Sequence, residues 1–182
     1  MIRKGKMKKF MHSWLFVAAV LLLQGCASTT VDQFKNNQPK LDLFEYFSGE
    51  TKAWGIFQLI TGEVKQQFTV HIIGEVRGDE LTLTEDFVYS DGNKSQRIWR
   101  IQRLGEGVYE GSAADVIGVA KGFSAGNALN WSYVLRAPYD DTTIDLTFDD
   151  WMFLQPDGVL LNKATVKKFG LTIGEVTLAF KK

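Results

Sequence analysis

The sequence from residue 53 to residue 180 repeats one pattern: a short segment of alternating apolar and polar residues, then a turn. Within residues 65–74, for example, Phe68, Val70 and Ile72 are two positions apart, which places them on one face of a strand. Strands with a single apolar face must close into a barrel or pack as a sandwich to bury that face. Because the hairpins are consecutive, the pattern predicts an all-β domain, an antiparallel up-and-down barrel of about nine or ten strands.

The clearest hairpin joins residues 80–89 to residues 95–103. A three-residue loop at 91–93 places the apolar side chains of both strands on one face, whereas a two-residue loop sets them against polar ones. The three-residue loop also places Glu85 and Arg97 on that apolar face, within diagonal reach of each other. We interpret them as an ion pair inside the barrel, which either orients the polar end of a ligand or only stabilises the fold.

The first 25 residues have the composition of a signal peptide. Residues 1–9 contain five basic residues and no acidic residue, and an apolar run follows to Leu23. The run has about 14 residues, fewer than the roughly 20 that a membrane-spanning helix needs. Its end, Leu23-Gln24-Gly25-Cys26, is similar to the lipobox of bacterial lipoproteins. In that family the signal helix is removed, the Cys carries diacylglycerol, and the new amine is acylated, for instance with palmitate.

The lipobox resemblance implies three parts: a signal peptide at 1–25, the lipidated Cys26 with a flexible tether to residue 40, and a single barrel domain at 41–182. The acyl chains would anchor the protein to a membrane. Ala27 follows the Cys rather than Asp, which by the sorting rule of enteric bacteria implies the outer membrane, with the domain facing the periplasm. An ordinary signal peptide with an incidental Cys is the alternative.

Composition excludes several classes of function. The 21 acidic residues all follow Gly25 but only 16 of the 21 basic residues do, so the segment 26–182 has a net charge of −5. This charge makes nucleic acid an unsuitable partner. Cys26 is the only Cys and His71 the only His of that segment, so a Cys-His nucleophile pair or a multi-His metal site is unavailable after lipidation. We predict no cofactor, and no G-x-S-x-G, phosphate-loop or dinucleotide motif indicates an enzyme.

From about Phe47 to Phe180 the sequence resembles an uncharacterised bacterial lipoprotein family, the domain-of-unknown-function family 3833. That family has no established reaction, but its members tend to lie beside genes for fatty-acid and membrane-lipid modification, which implies a lipid-related role. The barrel itself is expected to be lipocalin-like or calycin-like. The segments that carry the resemblance are Ala53-Trp54-Gly55-Ile56-Phe57, the hairpin from Tyr89 to Trp99, Asp115-Val116-Ile117-Gly118, Gly126-Asn127-Ala128-Leu129-Asn130-Trp131, Asp149-Asp150-Trp151-Met152, and Lys168-Phe169-Gly170 with Gly174-Glu175-Val176.

Six residues are predicted to contact a ligand inside the barrel, although a purely structural role is the alternative for each. A charged pair suits the polar end of a ligand, and aromatic side chains suit an apolar wall. Asp149 and Asp150 point to opposite faces if they lie on a strand, which argues against a joint role. The six candidates are Glu85, Arg97, Trp99, Trp131, Tyr133 and Asp150.

Other side chains have structural explanations. Asp115, Asn127 and Asn130 flank the glycine-rich hairpin, where such residues usually bond to the local turn. The alternation of small residues at 118, 120 and 122 indicates either the close approach of another part of the chain or a gap for a ligand. His71 alternates with Val70 and is expected outside the barrel.

Three functions fit these observations. The first is an envelope lipoprotein whose barrel binds or carries a small apolar or lipid-like molecule, such as a fatty acid. The second is a lipid-modifying enzyme that uses Glu85 and Arg97, and the third is a non-catalytic adaptor for an unknown protein partner. An internal cavity distinguishes the first two from the third.

Overall fold

The computed structural model describes residues 29–182, so the predicted signal helix and Cys26 lie outside the described residues. Ten antiparallel strands form one closed barrel, and each strand pairs with its neighbour in sequence. β1 pairs with β10 and closes the ring. The prediction of an all-β up-and-down barrel is therefore confirmed. The strands are β1 (Gly49–Leu59), β2 (Val64–Arg77), β3 (Glu80–Tyr89), β4 (Lys94–Gly105), β5 (Val108–Ser112), β6 (Val116–Ala125), β7 (Ala128–Tyr139), β8 (Thr142–Leu154), β9 (Leu160–Lys168) and β10 (Leu171–Lys181).

Closure of the ring gives every strand two hydrogen-bonded neighbours, so the barrel has no edge strand. All of these partners lie between residues 49 and 181. The segment 29–182 therefore contains the complete set of strand pairs that the barrel needs to fold by itself.

The sequence leaves the extent of two strands open. It predicts either a bend or another strand from Asp149-Asp150-Trp151, and β8 continues through these residues, because Asp149 and Asp150 pair with Thr165 and Ala164 on β9. It predicts two short strands at 159–162 and 164–168, which the structure joins in β9. At both places pairing with a neighbouring strand outweighs the low strand propensity of the charged residues.

The β3–β4 hairpin has the predicted faces but a different register. Its three-residue loop is 90–92, one position earlier than predicted, since the Tyr89 N–H donates to the Asn93 carbonyl at 2.9 Å. Glu85 is therefore directly opposite Arg97 rather than diagonal to it. The change of one position in the loop moves the pairing by a full two-residue step and leaves the inward face unchanged.

A short helix, α1 (Leu43–Phe47), precedes β1 and begins at Asp42. The Asp42 carboxylate accepts from the Phe44 N–H at 2.8 Å and the Glu45 N–H at 3.0 Å, which satisfies two N–H groups of the first turn. The sequence predicts a short turn or helix at this position. In the described part of the chain no helix is both long and apolar enough to cross a membrane.

α1 closes one end of the barrel. The Phe47 ring meets the Phe180 ring edge-on at 5.5 Å, and Gly74 has no side chain where the Phe47 carbonyl lies against β2. Arg103 holds the helix from β4, with its Nη2 atom 3.1 Å from the Asp42 carboxylate. Because Leu43 and Phe47 are buried, the helix forms an apolar floor for the interior.

The segment before α1 follows the outer wall at the same end. A 3-10 helix spans Val31–Phe34, and the Phe34 ring packs edge-on against the rings of Trp151 and Phe153. The Leu41 N–H donates to the Gly126 carbonyl at 2.8 Å. The Phe34 contacts lie within the stretch to which the sequence assigns a flexible tether, and the Leu41 contact follows directly after it. Together they bring the chain to the closed end of the barrel.

Trp131 fills the interior next to two glycines. A side chain at Gly111 would lie 2.7 Å from the Trp131 ring, and one at Gly122 would overlap the same ring. Of the two explanations for small residues in β6, Gly122 therefore fits close packing rather than a gap for a ligand. Trp131 is 5% exposed, so its ring has little room to move.

We expect Gly122→Ala to destabilise the barrel by about 1–3 kcal/mol, because the added methyl group overlaps the Trp131 ring in a packed interior. Urea unfolding followed by circular dichroism measures the change. Gly105→Ala is the control, since nothing lies near a side chain added there, and its effect should be within about 0.5 kcal/mol. Equal stability of the two variants would contradict this packing.

Candidate functional site: the charged end of an interior cavity

The barrel encloses a cavity of about 230 Å³ above the floor formed by α1. Its wall is mostly apolar and aromatic, with few polar side chains. Such a lining is typical of sites that bind a small molecule and fix its orientation with a few polar groups. The polar side chains in the lining are Glu85, Tyr89, Arg97, Tyr133, Asp150 and Asn162.

The Arg97 guanidinium is held by Asp115 in a fork. Its Nη2 atom lies 2.8 Å from Asp115 Oδ2, and its Nε atom lies 3.0 Å from the same oxygen and 3.2 Å from Oδ1. The Phe87 ring lies below the guanidinium, 5.6 Å from the carbon to the ring centroid. Burial lowers the pKa of Arg97, because it disfavours the charged form. Interactions with Glu85, Tyr133 and Asp115 are stronger, so the net effect is a raised pKa. Arg97 is therefore charged and already paired.

Glu85 lies directly across the hairpin from Arg97, on the inward face of β3. The pKa of its carboxyl is raised to about 7. Burial is the main cause, the charge of Asp115 adds to it, and the charge of Arg97 acts in the opposite direction. At neutral pH this group is therefore close to its titration midpoint.

Asp150 lies on the inward face of β8 and is 7% exposed. Burial, together with the charges of Asp149 and Glu85, raises the pKa of its carboxyl to about 8. Arg97 and a hydrogen bond from Tyr133 act in the opposite direction. The pKa of the Tyr133 hydroxyl is itself raised well above its usual value by burial, so Tyr133 stays protonated and can donate.

Two polar atoms of the cavity wall are buried without a hydrogen-bond partner among the described residues. They are Oδ1 of Asp150 and Nδ2 of Asn162, which lie on the adjacent strands β8 and β9. Most buried polar side-chain atoms in proteins have a partner, so unpaired ones on a cavity wall indicate positions that a ligand or water would occupy.

The aromatic wall is built from contacts across the interior between β4 and β7 and from one contact between the neighbouring strands β7 and β8. Trp99 meets Trp131 and Tyr133 edge-on at 5.6 and 5.4 Å, and Tyr133 stacks on Phe148 at 5.0 Å. These contacts hold the rings on both sides of Tyr133, whose hydroxyl faces Asp150 and Arg97. The apolar wall and the charged cluster therefore share side chains.

The structure brings all six predicted residues to the same cavity. Asp149 points to the outer side of β8, where it accepts from Asn130 Nδ2 at 2.7 Å, as strand alternation predicts. His71 is also outside and contacts Glu50 Oε1 at 2.9 Å. Trp54 is 52% exposed and lies on the outer wall.

Asp115 is the residue that the sequence prediction missed, since it bonds to Arg97 and not to its own turn. The reason is the length of β5, which pairs with β4 only from Arg100 onward. Arg97 therefore extends past the end of β5, and the β5–β6 connection places Asp115 beside it. The short segment between Val108 and Asp115 is the signal that could have identified this contact. Asn127 and Asn130 are the other two residues that are expected to bond to the local turn. Asn127 donates from Nδ2 to the Leu154 carbonyl at 3.1 Å.

Comparison with known proteins gives a family. The family model described as "Protein of unknown function (DUF3833)" matches residues 20–182. No curated protein matches the sequence. Among solved structures, that of the S-type phycobiliprotein lyase CPES from Guillardia theta is similar with a TM-score of 0.49 and 10% sequence identity, over 84% of this chain and 91% of that chain. Within residues 29–182, no group of three or more His, Cys, Asp or Glu side chains is arranged to hold a metal ion.

We expect the empty protein to lose stability as the pH rises from about 5 to about 8. The pKa values of Glu85 and Asp150 are raised to about 7 and about 8 by folding. Between the ordinary pKa of a carboxyl group and these values, the folded state holds protons that the unfolded state has released, so a rising pH favours unfolding. Thermal unfolding across this range measures the slope.

Asp150→Asn should flatten this dependence, because the amide does not titrate. Asp145→Asn is the matched control on the same strand, since Asp145 is exposed and pairs with Arg136 at 3.1 Å. A slope that both variants leave unchanged would contradict a buried Asp150 that is protonated at neutral pH.

Proposed function

The chain belongs to the DUF3833 family of proteins of unknown function, and we propose that its barrel binds one small, mostly apolar molecule in the interior. The observation that carries this proposal is the cavity of about 230 Å³, whose apolar wall ends in a cluster of buried and partly buried charged side chains. A barrel that served only as an adaptor would gain stability by filling this space with side chains.

In this proposal the apolar wall of the cavity supplies the binding free energy, and the charged cluster sets the orientation of the ligand. Burial of apolar ligand surface against Phe68, Trp99, Leu178 and their neighbours supplies the favourable free energy. Glu85, Tyr133 and Asp150 fix the position of the polar end, because a polar group placed elsewhere in the cavity would lose its hydrogen bonds. Lipid-like molecules have this division into an apolar part and a polar end.

The ligand would enter from the end of the barrel opposite to α1. The floor at Leu43 and Phe47 is buried, and Tyr46 fastens α1 further by donating to the Phe180 carbonyl at 3.1 Å. Entry at that end would require the helix to detach. At the other end the lining reaches Tyr89, next to the hairpin loop at 90–92.

A place in the cell envelope is part of the proposal. The lipobox-like Leu23-Gln24-Gly25-Cys26 supports lipidation at Cys26 and an outer-membrane anchor that faces the periplasm. A binding barrel held at a membrane would have access to lipid-like molecules.

Acid–base catalysis on a bound lipid is the second candidate. The pKa values of Glu85 and Asp150, about 7 and about 8, lie near neutral pH, where a group can both take and release a proton. Glu85→Gln would abolish turnover of a bound molecule if this second function holds. A carrier would bind more weakly or with altered preference but would convert nothing.

Native mass spectrometry of residues 27–182, produced in bacteria, should show a bound small molecule. Ala164→Phe should lose it, because Ala164 is a buried residue of the cavity wall and the larger side chain fills the space. Leu161→Phe is the matched control on the same strand, since Leu161 is 46% exposed on the outer wall. Circular dichroism verifies that both variants fold.

An empty protein that also takes up none of a set of added lipids would overturn the binding proposal. So would a ligand that Ala164→Phe retains in full while the barrel stays folded, because the molecule would then lie outside the cavity.

For the anchor, we expect the full chain expressed in an enteric bacterium to remain with the outer membrane and Cys26→Ser to be lost from it, since the side chain that carries the lipid is absent. Membrane fractionation with an antibody to the barrel measures the distribution. Release of both forms from the membrane by salt alone would contradict a lipid anchor.

A further inference from the structure

We propose that the polar end of the ligand is a protonated amine and not a carboxylate. The inference rests on the proposed function, because it names the chemistry of the molecule that the cavity would hold. It follows from the way in which the charges of the cavity wall are already paired.

The single cation of the cluster is already paired. Asp115 occupies two nitrogens of Arg97, Nε and Nη2, through contacts of 2.8 to 3.2 Å. Glu85 lies directly opposite on β3, and its charge acts on the same guanidinium. A ligand carboxylate would therefore meet a guanidinium whose charge Asp115 already balances, in a pair that is more than half buried.

The third carboxylate has no cation of its own. Asp150 is 7% exposed, lines the cavity, and its Oδ1 atom accepts no hydrogen bond from the described residues. Once Asp150 is ionised, a buried carboxylate oxygen without a donor is unfavourable, so this position then calls for a donor from the ligand.

The ionised cluster therefore has an excess of negative charge: three carboxylates, those of Glu85, Asp115 and Asp150, face one guanidinium, that of Arg97. Tyr133, from β7, is neutral and offers its hydroxyl. In the described part of the chain, β1, β2, β9 and β10 contribute no titratable side chain to the cavity lining. An ammonium group would reduce the excess charge, whereas a carboxylate would increase it in a low-dielectric interior.

The experiment compares three probes with the same eight-carbon chain: octylamine, octanol and octanoic acid. Isothermal titration calorimetry with delipidated residues 27–182 at about pH 8 gives their affinities. We expect octylamine to bind about tenfold more tightly than octanol, and octanoic acid to bind most weakly. Because the three chains bury the same apolar surface, the differences report the polar end alone.

Variants test whether the carboxylates cause the preference. Glu85→Gln and Asp150→Asn should each weaken octylamine binding about tenfold and leave octanol binding within about twofold. Asp86→Asn and Asp145→Asn are the matched controls, since these acidic residues lie on the exposed faces of β3 and β8. Neither control should change the binding of any probe.

The unmodified protein provides a second test that does not depend on the folding of a variant. Octylamine binding should strengthen between about pH 6 and about pH 8, because Glu85 and Asp150 release protons in this range while the amine keeps its own. Octanoic acid binding should weaken over the same range, since its carboxylate then meets ionised partners.

The outcomes separate the inference from the function on which it rests. Equal binding of the three probes, or tightest binding of octanoic acid at about pH 8, would overturn the amine inference and leave a binding barrel. Binding of none of the probes, or binding that Ala164→Phe leaves unchanged, would contradict the binding function itself.

Discussion

The pairing of β1 with β10 is the contact on which the rest of the structure depends. It runs from Lys52 with Lys181 to Leu59 with Gly174 and joins the two ends of a chain of hairpins. Until it forms, each strand has one apolar face but no defined interior, and the first and last strands have open edges. Once it forms, the alternation of side chains divides them into an inner and an outer set. The cavity, its aromatic wall and its charges all follow from this division.

Side chains and backbone fill the interior at one end, and the cavity lies toward the other. The filled positions are those where a glycine makes room for another part of the chain. Gly74 admits the Phe47 carbonyl and so lets α1 close the end of the barrel, while Gly111 and Gly122 give the Trp131 ring its place. In each case the missing side chain is replaced by another part of the chain. The remaining space is bounded by large apolar side chains that meet across the barrel without filling it.

The charged side chains around the cavity add little to the stability of the fold, because the cost of burying ions offsets most of their attraction. Arg97 pairs with Asp115 and lies opposite Glu85, but Asp150 and Asn162 keep unpaired polar atoms. An arrangement selected only for stability would pair these atoms or replace them by apolar groups. A binding site uses them, because groups left unpaired in the empty protein are available to a ligand.

The sequence by itself determined the strands, their inward faces and the six residues on the cavity wall, because a period of two residues sends alternate side chains to the same side. It could not determine the contact between Arg97 and Asp115, which depends on how far β5 extends along β4. Nor could it set the register that places Glu85 directly opposite Arg97, since loops at 90–92 and 91–93 give the same faces. Only the tertiary structure decided that the cation of the cavity is already paired, because charge compensation depends on distances between strands that are remote in the chain.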